Sequence, residues 1–167
     1  LDTIEEITIL RAMPVPRPHP ASTWRWIGFF AGSLLTGLHG VAANWPAWNG
    51  PSGSGVSPEH NLPRRWSATE NVRWKTALPD RGNSSPIVWG SRVFLAQAVE
   101  SEGKRGVMCL DRSTGKVLWH SSVVSEQKED THEPNPYCSA SPVTDGKRVV
   151  AWFGSAGVVS YDLDGKE

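Results

Sequence analysis

Between residues 131 and 138 the chain reads Thr131-His132-Glu133-Pro134-Asn135-Pro136-Tyr137-Cys138, its densest run of side chains able to hold a ligand. His132 and Glu133 offer a nitrogen and a carboxylate to a metal, but adjacent residues reach one ion only where a loop folds around it. Glu133 and Asn135 offer oxygens of the kind Ca²⁺ takes. With Tyr137, these four are weak binding-loop candidates, and the competing reading of the stretch is a plain polar loop. Ser84-Ser85 and Ser139-x-Ser141 each precede a proline. Neither has the Gly-x-Ser-x-Gly frame of a nucleophile elbow; a serine that caps a turn and a proline that opens a strand explain them better. The Gly50–Gly55 stretch lacks the Lys-Ser/Thr of a phosphate loop. Asp111, Asp145, Asp162 and Asp164 fall in turn patterns, which argues against acid–base work. Cys109 and Cys138 have no metal or CxxC spacing. Cys109 reads as a small buried hydrophobe. A disulfide between the two would suit an exported protein, but spacing alone does not pair them. No catalytic residue and no metal ligand is assigned.

The elements around these residues repeat. Ser85-Pro86-Ile87-Val88, Arg92-Val93-Phe94-Leu95, Val107-Met108-Cys109-Leu110-Asp111 and Thr114-Gly115-Lys116-Val117-Leu118-Trp119 are followed by Ser141-Pro142-Val143-Thr144, Arg148-Val149-Val150, Val158-Val159-Ser160-Tyr161-Asp162 and Asp164-Gly165-Lys166. Pro86 to Pro142 is a step of 56 and Asp111 to Asp162 a step of 51. A longer hairpin loop in the first copy (Val99 to Gly106, against Gly154 to Gly157) would account for the difference. Periods of this size built from short strands signal a propeller or a related array, whose units need neighbours to bury their faces. The fold class is therefore all-β, with β-propeller blades made of four-stranded antiparallel sheets in an incomplete ring. Val72–Ala77 alternates as a strand, and the first blade is expected over 72–125. A linker loop spans 126–139, and the second blade, lacking its last strand, spans 140–167. Propellers hold roughly four to eight blades, so the chain is expected to be the N-terminal part of a longer protein and to fold poorly alone.

The front of the chain reads as an address. Residues 1–12 look like upstream extension and are given no structure. From Met13, Arg17 and Arg25 lead into the apolar run Trp26–Leu38, and Val41-Ala42-Ala43 supplies small residues for cleavage. This is the layout of a secretory signal over 13–43. The run of 13 carries three glycines and falls short of the ~20 apolar residues of a membrane span. No stable membrane anchor is expected after cleavage, and no Cys near Ala43 suggests lipidation. Residues 44–71 form an entry segment rich in Pro, Gly and Ser, whose Trp45 and Trp48 are expected to dock on the body. Seventeen basic residues balance seventeen acidic ones. Removal of 1–43 takes Arg11, Arg17, Arg25 and Asp2, Glu5, Glu6, leaving the balance unchanged. With no basic stripe, a nucleic-acid surface is excluded.

The string Leu110-Asp111-x-x-Thr114-Gly115-Lys116-x-x-Trp119 resembles the tryptophan-docking repeat of pyrroloquinoline-quinone-type (quinoprotein-like) β-propellers. Asp162, Gly165 and Lys166 keep part of it in the second copy. The opening Trp45-Pro46-x-x-x-Gly50-Pro51, with Leu62-Pro63 and Asn71-Val72-x-Trp74-Lys75, is similar to the entry segment of exported bacterial members. The resemblance implies a hairpin turn that aims the last strand and an indole wedged between blades. It also implies two activities. Catalytic members oxidise alcohols or sugars with the quinone and Ca²⁺ at the ring centre, an Asp as base, a Glu and an Asn as ligands, and often two adjacent cysteines. Others, such as the outer-membrane assembly lipoprotein, are non-catalytic. No carboxylate here matches the Asp or the Glu, and no cysteines are adjacent. The leading expectation is a periplasmic or secreted scaffold that holds a protein partner on ring-face loops, with no demonstrable cofactor. The alternative is a quinone- and Ca²⁺-dependent dehydrogenase.

Overall fold

Short β-branched runs punctuated by Gly and Asp turns make strands that a hairpin can pair but that no helix period could organise. A computed structural model describes residues 6–10, 43–60, 62–132 and 134–167. Its strands are β1 (Glu6–Leu10), β2 (Val72–Ala77), β3 (Ile87–Trp89), β4 (Arg92–Val99), β5 (Lys104–Asp111), β6 (Val117–Val124), β7 (Val143–Thr144), β8 (Arg148–Trp152) and β9 (Val158–Asp162). There is no α-helix among the described residues. All pairings are antiparallel: a four-stranded sheet β3-β4-β5-β6, a three-stranded sheet β7-β8-β9, and the pair β1-β2. The two larger sheets are the two expected blades.

Each face of the first blade is buried by a different neighbour. Alternation along β4 and β5 sends Phe94, Ala96, Ala98, Val107 and Cys109 to one side. There they form a single core with Val149, Ala151, Phe153, Val159 and Tyr161 of the second blade and with Cys138 of the linker. Val93, Leu95, Met108 and Leu110 point the other way and pack on Trp74 of β2. Two-sided burial leaves six consecutive residues buried in each of β4 and β5, the polar Gln97 and Arg105 among them.

Three expectations need correction. The five-residue difference between copies does not lie in the hairpin loop. Both loops close with a short 3₁₀ turn, Glu100–Glu102 and Gly154–Ala156, whereas β4 and β5 have eight residues each against five in β8 and β9. Arg105 and Gly106, read as loop, continue the ladder opposite Ala98 and Gln97. Second, β2 is not a strand of the first blade's sheet; it pairs with β1 instead. Third, the region 1–12, given no structure, contains β1. The signal over 13–43 lies outside the described residues apart from Ala43, and so does Glu133.

Candidate functional site

The antiparallel registers place every blade-linking segment at one end of the sheets. β4 ends there at Val99, β5 starts at Lys104, β6 ends at Val124 and β8 ends at Trp152. This loop face carries the polar stretch 126–139. The opposite, turn face carries the aspartate turns, and the difference decides what each group of residues can do.

On the turn face the motif residues are structural. Asp111 Oδ1 accepts from the backbone N–H of Ser113 and Thr114 at 3.0 and 2.8 Å and from both hydroxyls at 2.6 and 2.8 Å. These hydrogen bonds, those of Ser113 and Thr114 side chains first, hold its carboxyl down at about 2. Asp162 Oδ1 accepts from Asp164 and Lys166 N–H at 2.9 Å, and Asp145 Oδ1 from Lys147 and Arg148 N–H at 2.8 Å. Both carboxyls are lowered, by the Lys166 and Arg148 N–H groups respectively. Gly115 and Gly165 take φ of 75° and 88°, and an indole lies against each. A Cβ on Gly165 would stand 2.7 Å from the Trp119 ring. Trp119 Nε1 donates to Leu163 O at 3.0 Å, and its ring meets Phe94 and Tyr161 at centroid distances of 5.8 and 6.2 Å. The expected wedge between blades is thus in place, with its N–H satisfied.

On the loop face the binding-loop candidates divide. Tyr137 is bound into the blade junction: its hydroxyl donates to Glu129 O at 2.8 Å, and its ring lies 4.1 Å from the guanidinium carbon of Arg105. Asn135 lies in a turn, its N–H on His132 O at 2.7 Å, with Asn83 Nδ2 reaching its Oδ1 at 3.4 Å and Pro134 O at 2.6 Å. His132 is exposed. Residues His132, Asn135 and Tyr137 do border one shallow cavity of ≈260 Å³, so the structure brings them together but leaves only His132 largely uncommitted. Among the described residues no three His, Cys, Asp or Glu side chains gather as a metal cluster.

Arg105 is the residue that sequence reading missed. It is 4% exposed, and it donates to Phe153 O at 2.8 Å and Gln127 O at 3.1 Å while pairing with Glu129 Oε2 at 3.2 Å. Glu129 Oε1 in turn accepts from Ser155 N–H at 2.6 Å; the Ser155 side chain first, then this N–H and Arg105, lower its carboxyl. One cation therefore joins the first blade, the linker and the second blade. Its signal, a lone Arg ahead of an apolar strand, is hidden because Lys104-Arg105-Gly106 resembles a turn.

The entry segment supplies the third part of the site. Trp45 exchanges two backbone hydrogen bonds of 2.8 Å with Val88 on the inner strand β3, and Pro46 O accepts from Thr144 N–H of β7 at 2.9 Å. Asn44 Oδ1 accepts from Gly90 N–H at 2.8 Å. The segment runs antiparallel to β3, so it climbs from the turn face to the loop face along the inner edges of both blades. The spacing Trp45-x-x-x-x-Gly50 has a steric reason: a Cβ on Gly50 would lie 2.7 Å from the Trp45 ring. Trp45 docks as expected. Trp48 does not: it is 66% exposed, because its backbone carbonyl, not its ring, is used, accepting from Trp45 Nε1 at 3.2 Å. It borders a ≈450 Å³ recess with Asn83, Ser85, Ser139 and Ser141. Ser85 and Ser141, equivalent in the two copies, touch each other there, Ser85 N–H donating to Ser141 Oγ at 2.9 Å.

The inner edges are bonded to Trp45 and Pro46, Asp111, Asp145 and Asp162 each take turn donors on Oδ1, and Glu129 is held by Arg105 and Ser155. Cys109 and Cys138 are buried free thiols, pushed up by burial to about 12 and about 11.

No curated protein matches the chain. A family model described as outer membrane protein assembly factor BamB, with a repeat of the pyrroloquinoline-quinone type, matches residues 65–167. The match covers β2 and both blades but not the axial segment at Trp45. The chain belongs to this family of β-propeller repeat proteins.

Proposed function

We propose that the protein is a non-catalytic scaffold, exported to the periplasm or beyond, whose loop face holds a protein partner. The observation that carries this reading is the course of residues 44–46 along β3 and β7. A flat cofactor at the ring centre would compete with main-chain hydrogen bonds that tie the blades together. Loop-face segments supply what a protein contact needs: recesses flanked by backbone groups, exposed Trp48 and His132, and mixed charge without a dominant sign. No helix among the described residues is long and apolar enough to cross a membrane.

The test is addition of pyrroloquinoline quinone and Ca²⁺ to the full chain. Dye reduction with alcohols or sugars and the melting temperature are then measured. No turnover and no shift in Tm are expected; turnover would overturn the scaffold reading in favour of a dehydrogenase.

A further inference from the structure

We propose that the recess beside Trp48 binds a neutral saccharide, with one sugar ring stacked on the exposed indole and its hydroxyls taken by serine and asparagine side chains. The sugar is held, not oxidised. The claim adds a ligand to the scaffold and does not depend on which protein the loop face holds.

The walls of the recess come from the repeat. Asn83 to Ser139 and Ser85 to Ser141 are both steps of 56, so each blade opening contributes the same two positions. With Trp48 they surround ≈450 Å³, a size at which small molecules are bound. Two adjacent blade openings and the segment bonded along them therefore form the site.

The indole is positioned by its own main chain. Trp48 O accepts from Trp45 Nε1 at 3.2 Å, Gly50 N–H donates to Ala47 O at 2.8 Å, and Gly55 N–H donates to Asn49 O at 2.9 Å. Trp45 is tied in turn to Val88 by two backbone hydrogen bonds. None of these bonds uses the Trp48 ring, which is 66% exposed. A fixed backbone presenting an open aromatic face is a preorganised platform.

The other lining groups are uncharged and able to hydrogen-bond. Ser85, Ser139 and Ser141 are half-buried, and Asn83 is exposed. Asn83 Nδ2 donates to Pro134 O at 2.6 Å, which orients the amide and leaves Oδ1 as an acceptor. Ser141 Oγ accepts from Ser85 N–H at 2.9 Å, and its own O–H remains to donate. Ser139 Oγ donates to Pro136 O and keeps its lone pairs.

A neutral sugar matches this set. One face of a pyranose is a sheet of C–H groups, which lies on an indole through dispersion and weak C–H···π contacts. Its edge is a row of hydroxyls, each both donor and acceptor. An anion would meet no cation among the five lining residues, and a cation no carboxylate. A proline-rich peptide is gripped by a groove of several aromatic rings, whereas Trp48 is the one aromatic residue of this lining.

The full chain is titrated by calorimetry with soluble β-linked oligomers of N-acetylglucosamine and of glucose, with the two monosaccharides, and with a proline-rich peptide. Trp48→Ala removes the ring but not the carbonyl that Trp45 uses, and Trp48→Phe keeps a smaller ring. Trp66→Ala, which removes an indole 62% exposed beside a different recess, is the control. Saturable binding of at least one sugar is expected, weakened about tenfold in Trp48→Ala, intermediate in Trp48→Phe and unchanged in Trp66→Ala. Oligomers binding more tightly than monosaccharides would identify the ligand as a glycan chain, and equal binding would identify it as a free sugar; both support the proposal. No saturable binding of any sugar, equal binding by Trp48→Ala, or binding of the peptide alone would overturn it.

Discussion

At the residue scale, the same short string does different work in its two copies because of what surrounds it. Asp111 gathers four donors, two of them hydroxyls that Asp162 lacks, and its carboxyl is the more strongly lowered. The consequence for stability has a definite sign. Asp111 titrates near 3.8 when unfolded and near 2 when folded. Its capping contribution is therefore fully present above pH 3.8 and is lost as the pH falls toward 2. Melting temperature followed over that window should drop in the native protein. Asp111→Asn keeps an acceptor for the backbone N–H groups but no titration, so it should flatten this part of the profile. An unchanged acid limb in the variant would show that other carboxylates dominate.

At the scale of elements, the tryptophans of β2 and β6 are the units that turn separate sheets into a stack. Trp119 touches Phe94 within its own blade and Tyr161 in the next, and it rests on Gly165, whose φ of 88° no β-branched residue would adopt. Replacing an aromatic ring at such a junction by alanine costs roughly 3 kcal/mol from lost burial and the cavity left behind. Trp119→Ala should lower the urea midpoint accordingly, and Trp74→Ala should do the same at the other face. A loss below about 0.5 kcal/mol, the ordinary range for surface substitutions, would mean that the indole is not a joint. The docking motif was legible from Asp111-x-x-x-Gly115 and Trp119 because turn chemistry is local. That Trp74 is a second docking indole was not, because β2 arrives without the turn that normally precedes such a strand.

For the whole molecule, the blades are coupled at both ends and along their inner edges. Arg105 joins them at the loop face, and residues 44–46 join them along their inner edges. Arg105→Met keeps much of the aliphatic stem but leaves Phe153 O and Gln127 O with only the 3.4 Å contacts from Ala156 N–H and Ser125 Oγ, and leaves Glu129 without its cation. Losing the shorter, charge-assisted donors and the buried ion pair is costly. The expected outcome is a melting temperature lower by several degrees and a transition that broadens or splits as the blades lose their coupling. A sharp, unshifted melt would place the coupling elsewhere.

By itself, the amino-acid sequence determined the blade unit: the paired Ser-Pro openings, the alternating strands, the aspartate–glycine turns and, in the first copy, the indole of Trp119. All of these depend on neighbours a few residues apart, where turn geometry and side-chain period are enough. Only the tertiary structure decided what the polar residues do. Tyr137 and Asn135 looked available and are occupied, Arg105 looked like loop and is the blade clamp, and Trp48 looked docked and stands exposed. Each outcome depends on groups tens of residues away brought into contact by strand pairing and blade stacking, and no local pattern records which donor will meet which acceptor across such a gap.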